Sequence, residues 1–206
     1  MNLEDVTAGI FEGIQIADQL HRKWTDGYFL NVGPEYFMSC KIAEKIMERA
    51  NDNERLFFEY SIPAINDNEN HRIRGRMPAV FPRYGAIDIA ILNEEWHMQY
   101  AIEVKDTCEF LGVIDDDVTR LRWLYRQYNK DNGGDLIACI VACYVGVERN
   151  TLEGCTEYLT SGINNYREYY GRNNIDIVWD EGHFTEPYTE EDGRVSLSTY
   201  FCIVIH

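Results

Sequence analysis

The sequence predicts an α/β protein in which a mixed central sheet is flanked by helices. Some segments carry apolar residues at helical spacing, whereas others alternate between apolar and polar residues or are continuously apolar, as strands are. The segments follow one another as helix, three strands, helix and strand, an order that favours a sheet covered by helices. The 206 residues contain no repeat, low-complexity tract or linker, so we expect a single domain over 1–206.

The first predicted elements are two helices and a strand. Residues 1–25 carry apolar side chains at mixed helical spacing and are expected to form an N-terminal helix. Pro34 suits the first turn of a second helix that reaches about Ala50. The alternating, aromatic-rich residues 56–62 are typical of a strand. The turn-forming and basic residues 64–83 are expected to form a long loop.

A hairpin, a helix and a buried strand are predicted next. The strands 85–92 and 97–105 are separated by a short connection, which favours a β-hairpin. A helix is expected from Asp115 to about Tyr128, with acidic residues suited to its N-terminal dipole. The apolar run 136–147 is typical of a buried central strand. One further helix and two strands are predicted over 152–170, 175–179 and 196–205.

The hairpin carries three charged residues, Asp88, Glu103 and Lys105, in otherwise apolar strands. Strand alternation puts Glu103 and Lys105 on one face. If the turn centres near 94–95, antiparallel pairing places Asp88 opposite a residue between 101 and 103, and one alternative pairs it directly with Glu103. Two carboxylates and an ammonium would then share one patch, where like charges raise one another's pKa unless a cation neutralises them.

A hard divalent cation would provide that neutralisation. Mg²⁺ prefers carboxylate oxygens and water, and commonly takes only one or two protein carboxylates. We expect Asp88 and Glu103 to be its ligands, with the backbone carbonyl of Val104 as a further one. Such an ion can polarise a phosphodiester oxygen and activate a water molecule. Lys105 could orient that water or stabilise the negative charge that develops on the phosphate.

Asp88 followed by Glu103-Val104-Lys105 resembles the PD-(D/E)xK nuclease superfamily. The resemblance covers about 34–147, and it implies a restriction-endonuclease-like, three-layer α-β-β-β-α-β core. The N-terminal helix and the C-terminal α-β-β segment would then be elaborations of that core. It also implies Mg²⁺ or Mn²⁺ held by the Asp and the Glu, a Lys that assists the water, and DNA as the substrate. Ile87, rather than proline, precedes Asp88, which departs from the superfamily's pattern.

Many members of that superfamily also place a glutamate on the helix before the sheet. The candidates here are Glu35, Glu44 and Glu48. Helical phase puts only Glu35 on the stripe that also carries the apolar residues, so we expect Glu35 to be a metal ligand or a base for the water. The alternative is that Glu35 only complements the N-terminal dipole of its helix.

The net charge of −16 argues against extensive non-specific binding to DNA, because phosphate neutralisation supplies most of that affinity. Two segments are nevertheless basic, and we expect them to contact the phosphate backbone. The alternative is that these arginines are only solvated. The predicted substrate-binding residues are Arg72, Arg74, Arg76, Arg83, Arg122 and Arg126.

Three other interpretations stay open. The chain could be a non-catalytic, acidic binding or regulatory protein that acts on a protein partner. It could instead be one nuclease component of a larger complex, or act on RNA, with a homodimer or a protein partner supplying basic surface. The hairpin charges could also be an ordinary ion pair on an exposed sheet, although both strands are apolar enough to be central.

The compartment is expected to be the cytoplasm. Six cysteines are scattered singly, without the spacing of a zinc site, and we expect free thiols. No apolar run approaches the roughly 20 residues that span a bilayer, so no membrane association is expected. The acidic N-terminal residues lack the pattern of a signal peptide.

Overall fold

Seven strands form one mixed sheet in the computed structural model, which describes residues 1–27, 30, 33, 35–67, 73, 85–106, 114–171 and 175–206. The strands are β1 (Arg55–Ser61), β2 (Ala86–Leu92), β3 (Met98–Lys105), β4 (Ala138–Arg149), β5 (Ile175–Val178), β6 (Tyr188–Thr189) and β7 (Val195–Ile205). Their order in the sheet is β1-β2-β3-β4-β7-β5, and β6 pairs with the start of β7. Only β3 and β4 are parallel; the other neighbours are antiparallel.

Helices cover both faces of this sheet. They are α1 (Leu3–Trp24), α2 (Glu35–Met47), α3 (Ile62–Asp67), α4 (Asp115–Asn132) and α5 (Leu152–Tyr170). The core on one face combines α1 and α2 with strand residues such as Ile89 and Ile102. The core on the other face combines α4 and α5 with the alternate residues Ala90 and Ala101. The predicted class, an α/β protein with a mixed sheet flanked by helices, is therefore confirmed, and its layers number three.

Helices α1 and α2 approach each other closely because α1 carries glycine at the contact. A Cβ atom at Gly13 would lie 2.4 Å from the Cα atom of Ile42, and one at Gly9 would lie 2.9 Å from the Cγ1 atom of Ile46. A side chain at Gly13 would therefore push the helices apart. Close packing of this pair fixes α2 on the sheet, and with it the position of Glu35 at the start of α2.

The predicted hairpin and the order α-β-β-β-α-β are present, with one insertion. Strands β2 and β3 pair antiparallel, with Ile89 opposite Ile102 and Ala90 opposite Ala101. The inserted element is α3, so our expectation of a loop from residue 64 is wrong for 64–67. Pro63 in the first turn suits a helix start, and the Ser61 hydroxyl accepts from the amide of Ala64 at 3.3 Å.

None of the helices in the described part of the chain has the length and apolarity needed to cross a bilayer. The longest of them, α1, carries acidic residues in its first turn and basic residues in its last turn. Its buried apolar side chains pack against α2 and the sheet.

Candidate active site

Asp88 lies beside the end of β3, on the strand next to it. Continuing the β2–β3 register by one residue beyond Ile89 and Ile102 places Asp88 opposite Glu103. The Oδ2 atom of Asp88 accepts a hydrogen bond from the amide of Val104 at 2.7 Å. This bond attaches the carboxylate to the β3 backbone, so Asp88 and Glu103 share one face of the sheet, the face covered by α4 and α5.

Glu103 is buried, with only 4% of its surface exposed. Burial raises the pKa of its carboxyl to about 9, Asp88 and Asp117 add to the effect, and Arg120 opposes it. The guanidinium of Arg120 lies 3.2 Å from Oε1 of Glu103. Without a metal ion, Glu103 therefore holds a proton near neutral pH, with the Arg120 guanidinium beside its carboxyl group.

Lys105 ends β3 between two carboxylates. Its ammonium lies 3.7 Å from Oε1 of Glu35 and 3.8 Å from Oδ2 of Asp117. Burial lowers the pKa of Lys105, but the carboxylates around it, Asp117 and Glu35 foremost, outweigh that effect and raise the pKa overall. Lys105 is therefore charged at neutral pH, which suits it to stabilise negative charge and not to remove a proton from water.

Glu35 reaches this group from the other layer of the fold, at the first residue of α2. It is half-buried, and burial raises the pKa of its carboxyl; Lys105 opposes that rise, while Asp88 and Asp106 reinforce it. The rival candidates lie elsewhere: Glu44 and Glu48 pair with lysines on the exposed face of α2. Helical phase thus selected the glutamate that the fold brings to Lys105.

Two residues of this group were not predicted from the sequence, Asp117 and Arg120. Asp117 is 7% exposed and contacts the Arg120 guanidinium through Oδ1. Both lie in the first two turns of α4, the helix of the crossover between the parallel strands β3 and β4. A crossover helix begins near the carboxyl end of the strand before it, and that topology was the signal that could have placed them next to Lys105.

The predicted phosphate-binding arginines are placed differently. Arg122 is half-buried and Arg126 is exposed, and both lie on α4. They are about 200° and 240° around that helix from Arg120, so α4 directs them away from Glu103. The other four predicted residues, Arg72, Arg74, Arg76 and Arg83, lie outside the described residues.

The group as a whole is acidic, and we call it the acidic cluster: Glu35, Asp88, Glu103, Lys105, Asp117 and Arg120. Four carboxyl groups meet two cations, so the cluster would carry two uncompensated negative charges if every member were ionised. The raised pKa of Glu103 is the response expected of such a cluster in the absence of a metal ion.

A divalent cation suits this cluster by charge and by donor type. The available donors are carboxylate oxygens, the type that Mg²⁺ and Mn²⁺ prefer. Within the described residues, no three histidine, cysteine, aspartate or glutamate side chains form a ready-made metal group. Asp88 and Glu103 would supply the one or two protein carboxylates with which Mg²⁺ is commonly bound, the remaining ligands being waters.

A second polar cluster lies on the opposite face at the same end of the sheet. Tyr144 follows Cys143, the β4 partner of Lys105, and its hydroxyl donates to Oδ1 of Asp18 and lies 2.8 Å from Oγ of Ser198. Arg22 binds Oδ2 of Asp18 at 2.9 Å and Ser198 at 2.9 Å. We call this group the hydroxyl cluster: Asp18, Arg22, Tyr144, Thr185 and Ser198.

Comparisons of the chain with protein-family models, with curated proteins and with solved structures give no match. A functional interpretation therefore depends on the geometry and the charges of the acidic cluster.

Proposed function

We propose that this chain is a Mg²⁺- or Mn²⁺-dependent nuclease that hydrolyses phosphodiester bonds in DNA at the acidic cluster. The observation that carries the proposal is the meeting of Asp88, Glu103, Lys105 and Glu35, which come from three separate elements, at the end of β3. The order α2-β1-β2-β3-α4-β4, with α3 inserted after β1, supports a restriction-endonuclease-like core within the three-layer fold.

Asp88 and Glu103 would hold the metal ion, with the carbonyl of Val104 as a further ligand. When bound, Mg²⁺ supplies Lewis-acid polarisation of a phosphoryl oxygen and lowers the pKa of a water molecule. The hydrogen bond from the Val104 amide fixes the Asp88 carboxylate before any ion arrives. A fixed ligand loses little conformational entropy on binding, which favours affinity.

Glu35 would accept a proton from the attacking water, and Lys105 would stabilise the charge on the phosphate. A water molecule attacks the phosphorus and passes a proton to the Glu35 carboxylate. One P–O ester bond breaks, and the leaving oxygen takes up a proton from the solvent. The raised pKa of Glu35 suits it to accept that proton. The ammonium of Lys105, 3.7 Å from Glu35, stabilises the negative charge that builds on the phosphate oxygens.

The acidic surface limits how DNA would be held. A net charge of −16 predicts a short footprint, and the few phosphate contacts of such a footprint would make the affinity depend only weakly on salt. Arg72, Arg74, Arg76 and Arg83 are our candidates for backbone contacts. A second copy of the chain or a protein partner would extend the basic surface.

One observation favours a second candidate function, a non-catalytic binding protein with the same fold. Arg120 already lies against Glu103 and contacts Asp117, so the cluster has an internal cation. A protein of this kind would bind a protein partner through its own acidic surface and would not respond to Mg²⁺. Metal dependence therefore separates the two functions.

The decisive experiment is cleavage of single-stranded DNA, double-stranded DNA and RNA with Mg²⁺ or Mn²⁺. We expect metal-dependent cutting of DNA, and we expect Lys105→Ala to slow it by about 10² to 10³-fold, as for loss of one charge-stabilising donor. Lys41→Ala is the matched control, because Lys41 also pairs with a glutamate at similar exposure, 26% against 22%, but outside the acidic cluster.

Two results would count against the nuclease. A folded Lys105→Ala protein that cuts at the wild-type rate would remove Lys105 from the mechanism. Failure of the wild type to cut any of the three substrates, together with no heat of Mg²⁺ binding in calorimetry, would favour the non-catalytic protein. Cleavage restricted to RNA would keep the site and change the substrate.

A further inference from the structure

Arg120 joins two buried carboxyl groups of the acidic cluster. Its guanidinium lies 3.2 Å from Oε1 of Glu103 and also contacts Oδ1 of Asp117. The side chains of Arg120, Glu103 and Asp117 are 15%, 5% and 10% exposed. Arg120 is therefore part of the interior of the cluster and not a surface arginine that happens to lie nearby.

The contact with Glu103 conflicts with the proposed role of that residue. An oxygen in contact with a guanidinium is less available to a divalent cation, and the two positive charges repel each other at short range. Burial of Glu103 leaves little space for both. A metal ion that takes Glu103 must therefore compete with Arg120.

Asp117 is a second carboxylate partner of Arg120, on the same helix. Asp117 and Arg120 are three residues apart on α4 and are neighbours on the helix surface. The Asp117 carboxylate also faces Lys105 through its other oxygen, at 3.8 Å. Arg120 can therefore leave Glu103 and remain paired, which lowers the free-energy cost of its departure.

We propose that Arg120 is the resident counterion of the metal site: it binds Glu103 and Asp117 when no metal is present, and it gives up Glu103 but keeps Asp117 when a divalent cation binds. This inference rests on the proposed function, since it assumes that Glu103 is a metal ligand. Arg120 acts through Glu103 and is a positioning residue. It holds a ligand in place while weakening the affinity of the site for metal.

Coupling of this kind is reciprocal. If the metal weakens the Arg120–Glu103 contact, then that contact weakens metal binding by the same factor. Removing the guanidinium should therefore tighten Mg²⁺ binding, whereas a residue needed only for structure would weaken it when removed. The direction of the change distinguishes the two roles.

The experiment is calorimetric titration of Mg²⁺, and separately Mn²⁺, into the wild type and four variants. We expect Arg120→Gln to lower Kd by roughly tenfold, within the range of ordinary coupling between sites. Arg120→Lys keeps the positive charge and should remain close to the wild type. Glu103→Gln should lose binding. Arg22→Gln is the matched control, because Arg22 is also a carboxylate-bound arginine with a side chain 15% exposed, but in the hydroxyl cluster.

A second measurement keeps the inference testable if Arg120→Gln fails to fold. In the wild type, the reaction of phenylglyoxal with Arg120, followed by mass spectrometry, should speed up on addition of Mg²⁺, because the guanidinium leaves Glu103. Reaction at Arg22 should not change. An unchanged rate at Arg120 with saturating Mg²⁺ would overturn the displacement.

The failures of the two proposals are distinguishable. If Glu103→Gln abolishes metal binding but Arg120→Gln leaves Kd unchanged or raises it, the counterion role is wrong and the proposed metal site stands. If neither the wild type nor any variant binds metal, and no substrate is cut, both proposals are wrong. Binding by Arg120→Gln alone would support the counterion role in its strongest form.

Discussion

The acidic cluster and the hydroxyl cluster lie at the same end of the sheet on opposite faces, and they differ in how completely they are neutralised. The hydroxyl cluster has one carboxylate, Asp18, one guanidinium, Arg22, and the hydroxyls of Tyr144, Thr185 and Ser198. Its contacts are all of hydrogen-bond length. The acidic cluster combines four carboxyl groups with two cations, and its lysine stands 3.7 and 3.8 Å from two of them.

The difference separates a structural network from a candidate site. Buried polar groups are costly unless they find partners, and in the hydroxyl cluster the one carboxylate, Asp18, pairs with the Arg22 guanidinium and accepts from the Tyr144 hydroxyl. In the acidic cluster, the excess of carboxyl groups is relieved by a proton on Glu103. An excess of buried acid that a divalent ion would neutralise is expected of a binding site and not of a structural core.

The largest expected effect is a loss of protein stability when the cation of the hydroxyl cluster is removed. Arg22→Ala leaves the Asp18 carboxylate buried without its cation, and we expect a loss of about 3 to 5 kcal/mol in the free energy of unfolding. Urea unfolding followed by circular dichroism measures the loss. A change below about 1 kcal/mol would show that the charge of Asp18 does not depend on Arg22 for its compensation, and the contrast between the clusters would weaken.

A smaller effect is expected on the pH dependence of the metal-free protein. Glu103 has a pKa of about 9 when folded, well above the ordinary 4.5, so between those values the folded chain holds a proton that the unfolded chain has released. Raising the pH therefore favours unfolding. From about pH 6 to about pH 8 this group should cost roughly 2 to 3 kcal/mol of stability.

Glu103→Gln isolates that contribution, because glutamine keeps the shape of the side chain and cannot ionise. Urea unfolding of both proteins with EDTA at the two pH values gives the comparison. Glu35 contributes a slope of the same sign in both proteins, since its pKa is also raised. Equal slopes for the wild type and Glu103→Gln would contradict the raised pKa of Glu103.

The smallest effect is expected for a single hydroxyl. Tyr144→Phe removes the donor to Asp18 and the contact with Ser198, and we expect a loss of about 1 to 2 kcal/mol. Tyr100→Phe is a suitable control, because the hydroxyl of this buried tyrosine makes one hydrogen bond among the described residues, to the carbonyl of Met1 at 3.2 Å. A larger loss of stability for Tyr100→Phe than for Tyr144→Phe would mean that the hydrogen bonds of the hydroxyl cluster are not unusually stabilising.

The parts of the site that follow from local periodicity could be predicted from the sequence. Strand alternation placed Glu103 and Lys105 on one face, and helical phase selected Glu35. Asp117 and Arg120 could not be placed in this way. The acidic first turn of α4 has a sufficient local explanation in the helix dipole, and which side of α4 meets the sheet is decided by tertiary packing.

The same limit applies to the hydroxyl cluster and to α3. Asp18, Tyr144 and Ser198 come from three elements, and no sequence period links them. The helix at 62–67 depends on Pro63 and the Ser61 contact, in a segment whose composition favours turns. The fold class was predictable because it needs only the order of elements, whereas buried polar contacts need the register of the sheet.

The pairing of β4 with β7 has a consequence for how the protein folds. The two strands pair along their whole lengths, from Cys139 opposite Ile205 to Arg149 opposite Val195, across the intervening α5 and β5. Contacts between residues so far apart in the chain form slowly. Before β7 pairs with it, β4 is an apolar edge strand with unpaired backbone groups. Such an edge can pair with a strand of another chain. We therefore expect the extent of aggregation during refolding to depend on how long β4 remains unpaired before β7 binds to it.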